Sequence, residues 1–393
     1  MLNSIKKIKE KNLKVLLRAD LNLPLHEGKI LDYTRLDALK PTITTLLNQN
    51  QKIAICSHLG RPKGKKEPKL SLKILIPFLE ERLNLKVKFF EDVLCENLKK
   101  ELETLKENEI ILLENIRFYK EEKENSNQFA QKIAEQFDIF VNDAFGVSHR
   151  SHTSNVAIAQ LLPSYAGLLI ENEIKNLDQI RIGSKFKKPL TVIIGGAKMK
   201  TKTPVIKEYL DHAKYILIGG ALANTFLKAK ENEIGKSLFE EEELLDAKKI
   251  LDLSKMSDTQ IILPSDFIVQ NLENKEIKTK DLNQIEKHDC IYDIGPKTLE
   301  EFNQIIKKSK TIIFNGPVGL YVEKDFEKGT KEILKNIKNS NAKSFLGGGD
   351  TVDALHDYNF KFEDFTHVST GGGAMLTYLE GKKLPAIQVL TSK

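Results

Sequence analysis

Short runs of aliphatic and β-branched residues recur along this chain, each ending in a polar or glycine-bearing turn and followed by a segment of helical period. In the first half they occupy 14–17, 52–56, 86–90, 110–113 and 139–141; in the second, 191–194, 215–218, 260–263, 311–314, 344–346 and 367–369. Apolar runs this short, alternating with helices, read as buried strands of βαβ units, which build parallel sheets with helices on both faces. Two such series predict an α/β protein of two doubly wound, Rossmann-like parallel-sheet domains, residues 1–165 and 191–383. Between them, 161–182 has helical periodicity with charged positions on one face, and Gly183-Ser184-Lys185 breaks it. Residues 166–190 are therefore expected to be a connector helix and hinge, and the tail 384–393 to pack back on the first domain.

At 393 residues the chain exceeds the size at which one core keeps growing, in agreement with two domains. Hydrophobic residues make up 40% and charged residues 30%, the balance of a soluble globular protein. The net charge of +6 is spread over interspersed lysines and glutamates, which describes a solvated surface. With no RNP-like string, zinc knuckle or tryptophan, a basic RNA-binding protein is a poor alternative. The lysine-rich start has no apolar core or cleavage site, and no stretch approaches the roughly 18 apolar residues of a membrane span. Cys56, Cys95 and Cys290 are far apart and form no CxxC, which suits a reducing cytoplasm rather than a disulfide framework or a zinc site.

Arginine and glycine are divided between the halves. Only seven of the 61 basic side chains are arginines, none beyond Arg181, whereas sixteen of the 22 glycines lie after residue 190, largely as doublets and triplets. Where lysine supplies nearly all positive charge, a retained arginine suits a planar, permanently charged fork that grips a phosphorylated ligand. Arg35, Arg61, Arg117 and Arg150 sit in polar, loop-like contexts and are read this way. Arg18 lies in an apolar strand pattern, Arg82 in an amphipathic helix pattern and Arg181 near a helix end, and these three are read as surface or structural. Glycine pairs at strand ends let backbone N–H groups approach phosphates or a nucleotide ring, because no Cβ intervenes. Ligands of open parallel sheets bind beyond the carboxyl ends of the strands. Asp20-Leu21-Asn22, His58-Leu59-Gly60-Arg61, Arg117 and the 142–150 loop fall there in the first half. Gly195-Gly196-Ala197-Lys198, Gly219-Gly220, Asn315 and two glycine triplets fall there in the second.

Two familiar nucleotide signatures are absent. Gly235-Lys236-Ser237 lacks the glycine five positions ahead that a Walker A loop requires; Lys230 stands there. Gly347-x-Gly349 and Gly371-x-Gly373 open like dinucleotide fingerprints but carry Val352 and Leu376 at the third glycine position, which weakens a nicotinamide dehydrogenase as the alternative. The run 345–355 reads instead as strand, glycine turn and helix. Its helix N-terminus offers free N–H groups to phosphates, Asp350 can hold Mg²⁺ and Thr351 can donate to an oxygen; otherwise either residue is simply an N-cap. Residues 370–374 repeat the device, so two glycine loops, containing Gly349 and Gly372, can converge on one charged group. Lys198 follows a glycine pair after a strand, within reach of a migrating phosphoryl group, with Lys202 one turn later; solvated surface lysines are the alternative. His58 and His149, beside Arg61 and Arg150, read as hydrogen-bond donors to an anion. Asp20 and Asn22 bind a hydroxyl or carboxylate of a small substrate, or close an Asx turn.

Nine strings then stand in one order: LLRADLNLP (16–24), SHLGRPKG (57–64), LLENIRFYKEE (112–122), VNDAFGVSHRSH (141–152), GGAKMKTK (195–202), FNGPVG (314–319), LGGGDT (346–351), STGGGA (369–374) and LEGKKLPA (379–386). Together they resemble the phosphoglycerate kinase family along essentially the whole chain. The resemblance implies a two-lobed, monomeric, cytoplasmic enzyme of glycolysis that moves a phosphoryl group reversibly from 1,3-bisphosphoglycerate to ADP, giving 3-phosphoglycerate and ATP. Mg²⁺ accompanies the nucleotide, and neither nucleic acid nor membrane is a partner. The resemblance places the phosphoglycerate against Asp20, Leu21, Asn22, Arg35, His58, Leu59, Gly60, Arg61, Arg117 and Arg150. It places the nucleotide against Lys198, Lys202, Gly220, Asn315, Gly348, Gly349, Asp350 and Thr351, with Asp350 at the metal, and gives Arg35, Lys198, Gly349 and Gly372 to the migrating group. One slot departs: the family's ribose-binding glutamate, three residues after GPVG, is Val322 here, and the adjacent Glu323 is the expected substitute. Transfer between ionised oxygens needs no general base, so the expected mechanism is in-line transfer by positioning and charge neutralisation, in a cleft closed by hinge motion.

Overall fold

The structure, a computed structural model, describes residues 2–391. The chain divides into two units, Met1–Lys175 with Lys383–Lys393, and Asn176–Lys382. In the first, β1 (Lys14–Arg18), β2 (Lys52–Cys56), β3 (Lys86–Phe90), β4 (Glu109–Leu113), β5 (Ile139–Asn142) and β6 (Ser164–Ala166) form one parallel sheet in the order β3-β4-β2-β1-β5-β6. Alternate residues of each strand enter opposite cores. Val15, Leu17, Ile53, Ile55, Ile110 and Leu112 share one, under the helix Thr34–Asn48. Leu16, Ala54, Ile111 and Leu113 share the other, under the helix Asn127–Ala134. Continuous apolar runs are what a strand needs when both its faces are covered, and each fully buried aliphatic side chain contributes about 1.5–3 kcal/mol.

The strand β6 corrects the reading of 161–182 as helical from its start. It pairs in parallel with β5, Phe140 opposite Ser164 and Asn142 opposite Ala166. Pro163 precedes it and its carbonyl accepts from Phe140 N at 3.0 Å, so the backbone there is extended and already committed to the sheet. The helix begins only at Leu168, where Leu168 N donates to Thr42 Oγ1 at 2.9 Å and Ile170 N to Asp143 Oδ1 at 3.2 Å. That helix, Leu168–Leu177, spans the division between the units. The C-terminal tail belongs to the first unit, through Asn3 N donating to Leu390 O at 2.8 Å and Ala386 N to Ser148 O at 3.2 Å; of the tail, residues 392 and 393 lie outside the described residues.

In the second unit a parallel sheet is built from β7 (Leu190–Ile194), β8 (Tyr215–Ile218), β9 (Gln260–Ile262), β13 (Thr311–Asn315), β14 (Lys343–Gly347) and β15 (His367–Ser369), in the order β9-β8-β7-β13-β14-β15. Between β9 and β13 the chain inserts an antiparallel sheet of β10 (Asp266–Asn271), β11 (Ile277–Asp281) and β12 (Asp289–Ile294), in the order β11-β10-β12. Strand order reverses between β1 and β5 in one parallel sheet and between β7 and β13 in the other. The loops leaving those strands diverge, and such switch points are where open α/β sheets bind ligands.

Candidate active site

At the switch point of the first sheet, the loops after β1, β2 and β4 are tied into one cluster. Ser57 Oγ accepts from Leu21 N at 2.9 Å and donates to Ala19 O at 2.7 Å, while Gly60 N donates to Asn22 Oδ1 at 2.8 Å. Asp20 closes an Asx turn through Asn22 N at 3.3 Å, and its other oxygen lies 3.9 Å from Arg35 Nε. Arg35, in the first turn of Thr34–Asn48, also donates to Asn22 O. Arg117 Nη1 donates to Gly60 O at 2.9 Å, and its Nε is buried without a partner. Asn115 fixes that arrangement: its Nδ2 bridges Leu59 O and Leu70 O at 2.8 Å each, and its Oδ1 takes Arg117 N at 3.1 Å. Thus Asp20, Leu21, Asn22, Arg35, Leu59, Gly60 and Arg117 are brought together, while Arg61 and Arg150 are exposed on flanking loops.

Arg18, read from its strand pattern as surface or structural, is fully buried. Its Nε donates to Ser154 Oγ at 2.8 Å, Nη1 to Ala19 O, and Nη2 lies 3.1 Å from His58 Nδ1. A guanidinium only donates, so Nδ1 accepts and the proton of the neutral His58 ring sits on Nε2. Burial first, then the charges of Arg18, Arg117 and Arg35, hold His58 well below the usual histidine range. Burial with Arg150 and His152 likewise brings His149 to about 4. Burial, followed by Arg18, lowers Arg117 to about 10, which leaves it a cation at neutral pH. Apart from Asp20, which is turned to Asn22 N and Arg35, the half-site consists of cations and neutral imidazoles and is suited to receiving an anion. Arg18 was discoverable in principle, because an arginine inside an otherwise apolar strand must find buried partners.

In the second unit, Gly195 N donates to Asn315 O at 3.1 Å, Gly196 N to Pro317 O at 2.6 Å, Gly220 N to Val318 O at 2.7 Å and Leu222 N to Gly196 O at 2.9 Å. A Cβ on Gly220, whose φ is +62°, would lie 2.7 Å from Gly196 N, so the backbones approach as only glycine permits. Asn315 Nδ2 donates to Gly347 O at 2.7 Å, and Thr351 Oγ1 accepts from Gly316 N at 2.9 Å with its own proton still to give. The helices Gly349–Asp357 and Gly372–Leu379 begin side by side: a Cβ on Gly372 would lie 2.5 Å from Gly348 Cα. Two positive helix ends therefore meet, as the glycine triplets suggested.

Lys202 is buried and donates from Nζ to Gly195 O, whereas Lys198 is exposed. Burial lowers Lys202 to about 8, with Asp350 and Glu240 opposing the shift. Beside these groups lies a cavity of about 400 Å³, walled by Gly196, Gly220, Leu238, Tyr292, Leu320 and Val322 among others, with Asp350 on its lining. Val322 faces this cavity; Glu323 is not among its lining residues and is exposed at the start of the turn Lys324–Phe326. Asp350 is a single exposed carboxylate, and among the described residues no three His, Cys, Asp or Glu side chains cluster as a metal cage. That donor set fits Mg²⁺, which takes one or two carboxylates and fills its remaining positions with phosphate oxygens and water.

The phosphoglycerate kinase family model matches residues 5–382. The phosphoglycerate kinase of Leptospira biflexa is 41% identical over 391 residues, 98% of either chain, and that of Dictyoglomus turgidum 43% over 386 residues, 98% of this chain and 96% of the relative. Among solved structures, phosphoglycerate kinase from Coxiella burnetii is similar with a TM-score of 0.85 at 35% identity, covering 99% of both chains. The enzyme from Pyrococcus horikoshii is similar with a TM-score of 0.87 at 32% identity, covering 99% of this chain and 98% of that one. Sequence and fold agree over nearly the full length, and the chain belongs to the phosphoglycerate kinase family, phosphotransferases with a carboxyl group as acceptor.

Proposed function

We propose that this protein transfers a phosphoryl group reversibly from the acyl phosphate of 1,3-bisphosphoglycerate to ADP, giving 3-phosphoglycerate and ATP, as a monomeric cytoplasmic enzyme of glycolysis. The observation that carries this reading is that each unit holds a half-site of its own: a cluster of arginines and neutral histidines on one, with Asp20 set against Arg35, and two adjoining glycine-opened helix ends on the other. The attacking oxygen is already ionised, so the protein has only to orient the reactants and neutralise charge.

Asp20 and Asn22 orient the glycerate portion, while His58, Arg61, Arg117 and Arg150 grip its anionic groups. Leu21, Leu59 and Gly60 shape the loops that hold them. Arg35 from this side and Lys198 from the other meet the migrating group, and the amides around Gly349 and Gly372 receive its charge. Lys202, Gly220, Asn315, Gly348 and Thr351 hold the nucleotide. Mg²⁺, when bound with the nucleotide phosphates, would neutralise their charge, and Asp350, an exposed carboxylate beside the cavity, is the residue we assign to hold it. Glu323 reaches the ribose only if the loop before it shifts. Because the half-sites belong to separate units, we propose closure about the 166–190 connector once both ligands are bound, excluding water that would hydrolyse the acyl phosphate.

The test is a coupled assay of ATP-dependent phosphorylation of 3-phosphoglycerate. Turnover that disappears when Mg²⁺ is chelated is the expected result; a folded, ATP-binding protein that leaves 3-phosphoglycerate unchanged would refute the assignment.

A further inference from the structure

Glu122 lies outside the loops that carry the arginines, in the short helix Glu121–Glu124, and has no solvent exposure. A buried carboxylate persists only when its charge is compensated and its oxygens are hydrogen-bonded. Both oxygens here are taken by Ser154: Oε2 accepts from its backbone N at 2.9 Å and Oε1 from its Oγ at 2.7 Å. His152 Nδ1 stands 3.6 Å from Oε1. Since Ser154 gives its one hydroxyl proton to Glu122, its oxygen faces Arg18 as an acceptor and takes Nε–H at 2.8 Å. Arg18 then turns Nη2 toward His58 Nδ1 at 3.1 Å.

Each link has a fixed direction. A carboxylate only accepts, a guanidinium only donates, and the serine between them does one of each. Reversing any member would set donor against donor or acceptor against acceptor among buried side chains.

We infer that Glu122 is a positioning residue of the anion-binding half-site: through Ser154 and Arg18 it holds His58 with Nδ1 as acceptor and Nε2–H as donor, and it is the buried counter-charge that keeps Arg18 in place. This rests on the reading of His58 as a donor to the phosphorylated ligand. The ring must present a proton, not a lone pair, to an anion, and nothing in the His58 side chain alone selects that tautomer.

The experiment is ¹⁵N NMR of His58 at neutral pH in the wild type, Ser154→Ala and Glu122→Gln, together with kcat and KM for 3-phosphoglycerate and for ATP. Ser154→Ala removes the middle link without altering either charge. It is expected to give a mixture of His58 tautomers and to raise KM for 3-phosphoglycerate about tenfold, the loss of one buried charge-assisted hydrogen bond, with KM for ATP unchanged. Glu122→Gln is expected to move both readouts in the same direction; if it does not fold, Ser154→Ala decides alone. A wild-type ring protonated on Nδ1, or a folded Ser154→Ala with tautomer and KM unchanged, overturns the inference. A wild type that turns over no 3-phosphoglycerate would count against the proposed function, and the tautomer measurement would still decide the relay.

Discussion

Arg35 and Lys202 differ in exposure, and the role proposed for each follows from where its cation sits. Arg35 is partly exposed, with its fork directed by Asp20 and Asn22 O, so its charge is available to a reacting group. Arg35→Ala is expected to lower kcat by roughly a thousandfold, as an arginine acting on a phosphoryl transition state does; a change confined to KM would remove it from that role. Lys202 titrates within reach of experiment. Its folded value of about 8 lies below the ordinary 10.5, so between these the unfolded chain binds more protons and folding stability rises with pH, the cost of burying its charge being relieved. If Lys202 contacts a nucleotide phosphate, as proposed, nucleotide binding should behave oppositely, because the proton lost would be the charge that attracts it. kcat/KM for ATP is expected to fall as pH passes about 8, and a flat profile from pH 7 to 9 would contradict Lys202 as a phosphate contact. At this scale the sequence was informative where residue type was scarce. Arginine in a lysine-rich chain singled out Arg35, Arg61, Arg117 and Arg150, of which Arg35 and Arg117 join the clustered loops while Arg61 and Arg150 are exposed beside them. Arg18 was signalled only by its place in an apolar strand, and Glu122, one of many glutamates, by nothing short of its burial and partners.

At the scale of elements, the glycine triplets separate packing from backbone chemistry. A Cβ on Gly372 would meet Gly348 Cα at 2.5 Å, whereas one on Gly349 would meet nothing within 4 Å. Gly372→Ala is therefore expected to destabilise the protein by about 1–3 kcal/mol through overpacking. Gly349→Ala, in the first turn of its helix, is expected to leave stability unchanged or improve it by up to about 1 kcal/mol. Urea denaturation of both variants checks this, and equal losses would show that the helix ends do not meet as described. The parallel strands were legible because their apolar runs are continuous. The antiparallel strands β10, β11 and β12 were not, since β11 reads IKTKD with exposed and half-buried positions, and β10 and β12 bury Asp266, Asp289 and Asp293. β6 escaped because three residues, Ser164–Ala166, give no period, and the helix after it lent its own periodicity to the whole segment.

For the molecule as a whole, two repeated apolar series foretold two parallel sheets, and the chain separates into two units, one of which recruits the C-terminal tail. The helix Leu168–Leu177, capped at its start by Thr42 and Asp143, runs through the division. If closure about this connector brings the half-sites together, small-angle scattering should show a smaller radius of gyration with 3-phosphoglycerate and a non-hydrolysable Mg·ATP analogue together than with either alone. No compaction in the doubly liganded protein would mean that transfer is arranged without closure.

On the function proposed here, phosphoryl transfer needs one half-site from each unit. The most direct measurement is kcat for ATP and 3-phosphoglycerate in the wild type, Arg35→Ala and Lys198→Ala, with calorimetric binding of each ligand to each protein. Arg35→Ala should lose roughly a thousandfold in kcat and Lys198→Ala roughly a hundredfold or more, while each binds the other half-site's ligand with unchanged Kd. A folded wild type that binds both ligands without transfer, or a variant that keeps wild-type kcat, would contradict the account.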